Sequence, residues 1–439
     1  MHTVAADYYI VVLSANRAAA SASMMQKRVL MVAFHFPPMR GSSGIQRTLR
    51  FARYLPEFGW EPQILTVHSR IYDAVDGSEK LPPELVVHRV PAFDAARHFA
   101  IGKRYPSFLA RPDRWASWWW SAVPAGLAAI RAFRPHALWS TYPIATAHAI
   151  GHTLARITRL PWIADFRDPM AQDGYPTDPA QWQAFSKIES RTIGRAVRSI
   201  FTTPGAADEY RARYPAYAKR IDVIENGYDE EMFRGLPEAN AKRKGRPIVL
   251  LHSGIVYPLD RDPSALFQAL QTLRASGDIS PDELRIVFRA PVHEDRLLEL
   301  ADRFRVRDFI AIGAYLPYRE ALEEMIDADA LLVMQAATCN QQIPAKLYEY
   351  LRAGRPIIGL ADPAGDTGAA LRSAGLIHIA ALEDPQAIAM LLRDFVADLL
   401  AGRAPVPSIG HVRLGSRRAR TSELASVLDD AIPATPAAQ

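Results

Sequence analysis

Lys346 and Glu349 are the charged side chains whose spacing first points to a ligand site. Pro344 is typical of the first position of a helix and Gly354 of the residue just past its end, so residues 344–354 predict a helix that opens out of a loop. Residues three apart share one face of a helix, and the amino end of a helix favours an anion. The arrangement suits a nucleoside diphosphate, although a solvated ion pair on an ordinary helix would show the same spacing.

A glycine loop near the start of the chain is a second pattern that could bind phosphate. Residues 28–36 are an almost continuous apolar run, which predicts a strand buried on both faces of a parallel sheet. Gly41, Ser42, Ser43 and Gly44 follow it, and a helix with apolar residues at helical spacing comes next. Glycine lets backbone N–H groups approach an anion closely, but plain turn chemistry explains such a loop equally well.

Polar groups gather at the ends of two later predicted strands. Tyr142 ends one strand, and Asp165, Arg167 and Asp168 lie at the end of the next. Because open α/β sheets bind ligands at the carboxyl ends of their strands, these side chains are candidate ligand groups. The two aspartates could equally cap the segment that follows.

The composition is that of a globular protein with two domains. The chain has 439 residues, too many for one ordinary core, with 49% hydrophobic and 23% charged residues. Its formal net charge of +5 suits anionic small molecules or a membrane surface, and no zinc-finger or other nucleic-acid-binding motif accompanies it, so nucleic acid is not an expected partner. The single cysteine, Cys339, excludes a disulfide framework and a multi-cysteine metal site.

The segment 94–135 mixes basic and aromatic residues. Arginine and lysine side chains lead into Trp118, Trp119 and Trp120, a mixture typical of a bilayer interface, although the tryptophans could instead form core. No apolar run is long enough to span a bilayer, and no basic region precedes the short apolar patch at the start. We therefore predict a cytoplasmic protein, either free in solution or in peripheral contact with the inner membrane face.

Alternating strand and helix patterns occur twice along the chain. They restart at residue 248 after a charged segment at 237–246, which is the best candidate for a linker. We predict an α/β fold with two doubly wound, Rossmann-like domains. The predicted divisions are a disordered extension at 1–24, an N-terminal domain at 25–236, a C-terminal domain at 247–415, and a C-terminal helix and tail at 416–439.

Four motifs in order resemble the family 4 (group 1) glycosyltransferases of the GT-B superfamily. They are residues 28–60 with Phe-His-Phe-Pro-Pro and Gly-Ser-Ser-Gly, residues 161–169, residues 224–229 with Glu-Asn-Gly, and residues 343–358. The resemblance implies two Rossmann-like domains facing each other across a cleft. The C-terminal domain would bind the nucleotide sugar and the N-terminal domain the acceptor, with Tyr142, Asp165, Arg167 and Asp168 on the acceptor side.

The resemblance also assigns roles to individual residues. Glu349 resembles the second glutamate of the family's E-x7-E motif, which hydrogen-bonds the ribose hydroxyls. Its partner eight residues earlier is Gln341 instead of glutamate, and an amide supplies no charge to a positive anomeric centre. Ser253, Gly254 and Arg261 resemble the diphosphate-binding segment.

The implied catalytic residues are Glu349, Lys346 and Arg261. The implied donor-binding residues are Gly41, Ser42, Ser43, Gly44, Ser253, Gly254, Gln341, Ile343, Pro344 and Leu347. Many members place a histidine near the acceptor, but no histidine stands at the corresponding Thr141 and Tyr142.

The implied reaction is a retaining, hexosyl-type transfer from a nucleotide sugar to a glycan or lipid-linked acceptor in cell-surface polysaccharide or glycolipid synthesis. Arg261, Lys346 and the glycine loop would stabilise the leaving diphosphate in place of a metal, so no metal and no cofactor are expected. Asp260-Arg261-Asp262 reads as a metal motif of another transferase fold, but a loop after the first C-domain strand is the wrong place for it.

Two other functions stay open. A non-enzymatic sugar-nucleotide-binding protein is motivated by Gln341 and by the missing histidine. A GT-B-type sugar-nucleotide 2-epimerase would share the two-domain layout, but it needs acid and base carboxylates flanking the sugar, and Gln341 speaks against it.

Overall fold

The computed structural model describes residues 26–40, 43–77, 79–100, 102, 104–237, 245–258 and 260–432. The predicted extension at 1–24 and the loop residues Gly41 and Ser42 therefore lie outside the described residues. Within them, strands and helices alternate along the chain and form two sheets whose described strand pairs are all parallel.

The first sheet has the strand order β3-β2-β1-β4-β5-β6-β7. Its strands are β1 (Lys27–Val32), β2 (Trp60–Val67), β3 (Val86–Val90), β4 (Ala137–Thr141), β5 (Trp162–Arg167), β6 (Arg198–Phe201) and β7 (Ile221–Val223). Every residue of β4 and β5 is buried, as expected for central strands covered on both faces. The helices of this part are α1 (Ser43–Tyr54), α2 (Ala95–His98), α3 (Trp118–Phe133), α4 (Ala145–Thr158), α5 (Pro179–Arg195), α6 (Pro204–Arg213) and α7 (Glu230–Phe233).

The second sheet has the strand order β10-β9-β8-β11-β12-β13. Its strands are β8 (Ile248–Ser253), β9 (Leu284–Arg289), β10 (Ile310–Gly313), β11 (Ala330–Gln335), β12 (Ile357–Ala361) and β13 (Ile379–Ala380). The helices from here to the end of the described chain are α8 (Ser264–Ser276), α9 (Glu294–Arg303), α10 (Tyr318–Asp327), α11 (Ala345–Ala353), α12 (Asp366–Ser373), α13 (Pro385–Leu400), α14 (Ile409–Leu414) and α15 (Arg417–Ala431).

Apolar clusters cover both faces of the second sheet. Leu250 and Leu332 point into one cluster with α8 and α13, whereas their neighbours Leu251 and Leu331 point into the other with α10 and α11. Successive side chains of a strand face opposite sides of the sheet, so a strand with only apolar residues is buried on both faces. This arrangement fixes the carboxyl ends of β8 and β11, from which the candidate site is built.

The chain divides into two compact units. The first contains the described chain up to Ile163, Arg195–Val197 and the C-terminal part from Ala425, and the second contains Ala164–Gly194 and Arg198–Leu424. The domain boundaries predicted from the sequence stay a prediction.

The tryptophan-rich segment of the first unit divides between core and surface. Trp118 is fully buried, and Trp119 donates a hydrogen bond from Nε1 to Thr153 Oγ1 over 3.0 Å. Trp120, in contrast, exposes 75% of its surface. The core interpretation is therefore right for Trp118 only. In the described chain no helix has both the length and the apolar character needed to cross a membrane.

Candidate functional site

The turn after β8 brings the backbone against Lys346. Gly254 has a φ of +134°, a conformation that residues with a side chain rarely adopt. A Cβ atom at this position would lie 2.9 Å from Lys346 Cε, and Lys346 Nζ donates a hydrogen bond to Ser253 Oγ over 3.3 Å. The backbone conformation therefore requires glycine here, and any larger residue would also displace the end of the Lys346 side chain.

Helix α11 places Lys346 and Glu349 on its partly exposed side. Pro344 was predicted to be the first residue of the helix, but with φ −55° and ψ 127° it occupies the N-cap position just before it. Gly354 follows the last helical residue with φ +69°, as expected. Ile343 and Leu347 are buried in the apolar cluster beneath the helix. These two predicted donor-binding side chains thus anchor α11, and their predicted contact with a ligand stays a prediction.

Arg261 and Lys346 form a pair of cations beside the turn. Arg261 Nη1 donates to the carbonyl of Ile255 over 3.1 Å, and its guanidinium lies 5.3 Å from the ring centre of Tyr257. Burial lowers the pKa of the Arg261 guanidinium. Burial also lowers the pKa of the Lys346 ammonium, an effect that Glu349 opposes and Arg261 reinforces. An anionic ligand would relieve the cost of holding these charges together.

His252 is a buried residue of the site that sequence analysis missed. Its ring Nδ1 donates to the carbonyl of Leu332 over 3.0 Å. Burial, together with the nearby charges of Arg261 and Lys346, lowers the pKa of His252 to about 4, although its hydrogen bond to the Leu332 carbonyl opposes the change. The ring is therefore neutral at pH 7 and adds no third charge. Its position directly before Ser253-Gly254 is the one signal that could have identified it.

Two tyrosines from distant parts of the chain also support the site. The Ser253 N–H donates to the Tyr350 hydroxyl over 2.7 Å, which fixes the end of β8 against α11. The Tyr318 hydroxyl donates to Glu349 Oε1 over 2.7 Å. No sequence spacing connects Tyr318 with Glu349, which are 31 positions apart, so this contact could not be predicted.

Gln341 lies in a segment whose backbone is held on both sides. Its carbonyl accepts a hydrogen bond from Thr203 Oγ1 over 2.7 Å, and the next carbonyl, of Gln342, accepts one from Thr367 Oγ1 over 2.9 Å. Gln341 itself is exposed. The main chain is therefore fixed while the Gln341 amide stays accessible to a ligand.

The predicted acceptor-side residues are mostly interior. Tyr142 is buried in the first unit, and Asp165 and Arg167 are buried at the end of β5 in the second. The Arg167 carbonyl accepts from both the N–H and the Oγ1 of Thr202, each over 2.8 Å. The N–H of Asp168 donates to the Phe166 carbonyl over 2.7 Å. Their roles toward an acceptor stay a prediction.

The remaining predicted residues are placed as follows. Ser43 and Gly44 open α1 in the first unit, next to Gly41 and Ser42, which the structure does not describe. In the Asp260-Arg261-Asp262 sequence, Asp262 Oδ1 accepts from the N–H of Ser264 over 2.9 Å and from its hydroxyl over 2.6 Å. Asp262 therefore serves the start of α8. Within the described ranges no group of three or more His, Cys, Asp or Glu residues is arranged to hold a metal ion.

Comparisons with known proteins agree with this architecture. Residues 43–227 match the family described as glycosyl transferase 4-like domain. A glycosyltransferase from Rickettsia africae ESF-5 is 12% identical, aligned over 92% of this chain and 98% of that one with a TM-score of 0.63. HepE from Anabaena, solved in complex with UDP, is 12% identical over 91% and 94% with a TM-score of 0.57. WaaG, a glycosyltransferase involved in lipopolysaccharide biosynthesis, is 13% identical over 92% and 98% with a TM-score of 0.56. No curated protein matches the chain by sequence.

The predicted GT-B fold with two Rossmann-like sheets is confirmed, as is the predicted family resemblance.

Proposed function

We propose that this chain, whose residues 43–227 match the glycosyl transferase 4-like domain, transfers a sugar from a nucleotide sugar to a glycan or lipid-linked acceptor. The transfer retains the anomeric configuration, needs no metal, and serves the synthesis of a cell-surface polysaccharide or glycolipid. The WaaG match, a lipopolysaccharide enzyme, supports the last of these.

The observation that carries the proposal is the contact of Lys346 Nζ with Ser253 Oγ at a turn that only glycine fits. It places a desolvated ammonium, the amino end of α11 and a second cation, Arg261, around the end of the first strand of a parallel sheet. Anions bind at such strand ends and helix ends. The UDP bound to HepE supports a nucleoside diphosphate as the ligand.

The barrier to transfer lies in separating the sugar from its diphosphate. Lys346 and Arg261 stabilise the negative charge that develops on the leaving diphosphate, and burial strengthens this attraction because less water screens it. Glu349 accepts hydrogen bonds from the ribose hydroxyls and so fixes the donor. Gln341 contacts the sugar hydroxyls as a neutral amide, which leaves the developing positive anomeric carbon without help from this position.

We also propose that the protein makes peripheral contact with the inner membrane face. Phe93, Phe108 and Trp120 expose 53%, 66% and 75% of their surfaces in the first unit. The two acidic residues of the segment 91–121, Asp94 and Asp113, are both buried, and Arg114 pairs with Asp94 over 2.8 Å and with Asp73 over 2.7 Å. Exposed aromatic rings with cations fit the interface of a bilayer that contains anionic lipids.

The proposed function is tested by incubating the full chain with a panel of nucleotide sugars and measuring the released nucleoside diphosphate, with and without glycan and lipid acceptors. We expect release that depends on an acceptor, and a product whose anomeric configuration, read by NMR, equals that of the donor. Binding of a donor without any release would favour the non-enzymatic sugar-nucleotide-binding alternative. Conversion of the donor into its 2-epimer would favour the epimerase.

A further inference from the structure

A polar cavity of about 550 Å³ opens beside Gln341 in the second unit. One wall is the segment Ala337 to Gln342, and the other is formed by Gln172, Asp173 and the α6 side chains Glu209 and Arg213. None of these opposite-wall residues was singled out from the sequence.

The lining of the cavity is suited to hydroxyl groups. Gln172, Gln341 and Gln342 carry amides, each of which both donates and accepts hydrogen bonds, as a sugar hydroxyl also does. The apolar part of the lining is small, with Pro169 and Ala337, and the lining residues that the structure describes include no aromatic ring. A nucleobase or a lipid chain would find little to stack or pack on.

The cavity carries a net negative charge, which disfavours the binding of anions. Arg213 Nη1 donates to Glu189 Oε1 over 2.9 Å, and its Nη2 donates to Glu209. Two carboxylates thus share one guanidinium, and Asp173 adds a further negative charge to the lining. A phosphate or carboxylate group would meet net negative charge, whereas a neutral sugar pays no such penalty.

A buried carboxylate holds the second wall in place. Glu189 is 1% exposed and accepts hydrogen bonds from the Ala171 N–H over 3.0 Å and the Tyr214 hydroxyl over 2.8 Å, in addition to Arg213 and Tyr210. The Arg213 Nη1 also donates to the Ala171 carbonyl over 2.7 Å. The loop that carries Gln172 and Asp173 is therefore fixed before a ligand arrives, which lowers the entropic cost of binding.

We propose that this cavity binds the acceptor as a neutral, multiply hydroxylated glycan, with Gln341 and its segment facing the donor sugar and Gln172 and Asp173 facing the acceptor. Phosphorylated and acidic sugars are excluded by the carboxylates of the second wall. The inference rests on the proposed glycosyl transfer and names the acceptor class of that site. Glu189 is a positioning residue for the acceptor wall.

The test uses saturation-transfer NMR on the full chain with UDP present, and two sets of probes: the neutral sugars maltotriose and N,N′-diacetylchitobiose, and the anionic sugars glucose 6-phosphate and glucuronic acid. We expect a saturation-transfer signal, and therefore binding, for the neutral sugars and no such signal for the anionic sugars. Gln172→Ala should weaken neutral-sugar binding about fivefold, as expected for one lost hydrogen bond of about 1 kcal/mol. UDP binding, followed by calorimetry, should stay within about twofold of wild type because Gln172 lies on the acceptor wall.

Two variants that each remove one carboxylate from α6 provide a second test. Glu209→Gln frees one side of Arg213 and should raise binding of the anionic sugars by about threefold or more. Asp208→Asn is the matched control, because Asp208 lies one residue away on α6, has a 70% exposed side chain and is not among the lining residues, so it should change nothing.

Three results would each overturn the acceptor assignment. They are a preference of the wild type for anionic sugars, the absence of a saturation-transfer signal for every neutral sugar at roughly 10 mM, which corresponds to very weak affinity, and binding of neutral sugars that Gln172→Ala leaves unchanged. A failure of UDP to bind would instead contradict the proposed function, whereas the binding of the neutral and anionic sugars would still decide whether the cavity binds neutral glycans.

Discussion

The first strands of the two sheets both end in turns that lead to helices, but the described cations near the two turns have different partners. After β8, Lys346 has a hydroxyl as its hydrogen-bond partner and Arg261 a backbone carbonyl. After β1, the buried Arg50 of α1 pairs with Glu79 over 3.3 Å, and Arg47 packs over the Phe51 ring at 4.9 Å. The same strand, turn and helix therefore produce a structural cluster in one sheet and a candidate anion site in the other, and the partners of the cations make the difference.

His252 provides the largest expected effect, since β8 alone of the two first strands ends with a buried histidine beside these cations. Its folded pKa of about 4 lies below the unfolded value of 6.5, so the unfolded chain takes up the proton first as the pH falls. The contribution of His252 to the stability of the fold is thus fully present above pH 6.5 and is lost as the pH falls from 6.5 to 4. The difference between the unfolded and the folded pKa of His252 corresponds to about 3 kcal/mol.

Urea denaturation of wild type and His252→Asn at pH 7, 5.5 and 4 measures this contribution. The variant keeps an N–H donor for the Leu332 carbonyl but cannot titrate, so its stability should fall less over this range, by about 3 kcal/mol in total. Parallel curves for the two proteins would show that His252 does not control the acid response of this strand end.

Lys346→Met tests the cation that distinguishes the two strand ends. The substitution keeps the apolar stem against Gly254 and removes the charge, so we expect nucleoside diphosphate binding to weaken about 30-fold, or about 2 kcal/mol, as for a lost charged hydrogen bond. Calorimetry with UDP and GDP measures it. Arg352→Gln on the same helix, where the guanidinium pairs with Glu230 over 2.8 Å at the surface, is the control and should bind as wild type.

Glu349→Ala should lower transfer by more than roughly tenfold and leave the fold intact, since it removes a charged hydrogen bond to the bound donor. Tyr318→Phe is the companion variant because it deletes the 2.7 Å contact to Glu349 but keeps the carboxylate. We expect kcat/KM of Tyr318→Phe to stay within about threefold of wild type. Equal losses in both variants would make Glu349 a partner of Tyr318 and not of the ribose.

The sequence could predict the elements of the site better than its contacts. The strand pattern that restarts at residue 248 and the position of Gly354 identified β8 and α11, because burial and helix ends leave local patterns. His252, Tyr318 and the Glu189 cluster were missed, since their roles come from side chains that meet only after folding. Ile343 and Leu347 were expected at the ligand and are packed beneath α11, as apolar residues at helical spacing ordinarily are, so that their contact with a ligand stays a prediction.

Trp120 and Phe108 give the smallest expected effect and extend the comparison to the surface of the first unit, where Arg114, unlike Lys346 and Arg261, has the carboxylates of Asp73 and Asp94 as partners. Each ring would bury only part of its surface in a headgroup region, so Trp120→Ala with Phe108→Ala should reduce binding to vesicles with 30% phosphatidylserine by about fivefold, close to 1 kcal/mol (on the order expected for interfacial aromatic contacts). Co-sedimentation measures this. Trp119→Phe is the control, because Trp119 is partly buried and bonded to Thr153, and it should bind vesicles as wild type does. Unchanged sedimentation of the double variant would remove the membrane contact, whereas an equal loss in the control would indicate a change of fold and not of the surface.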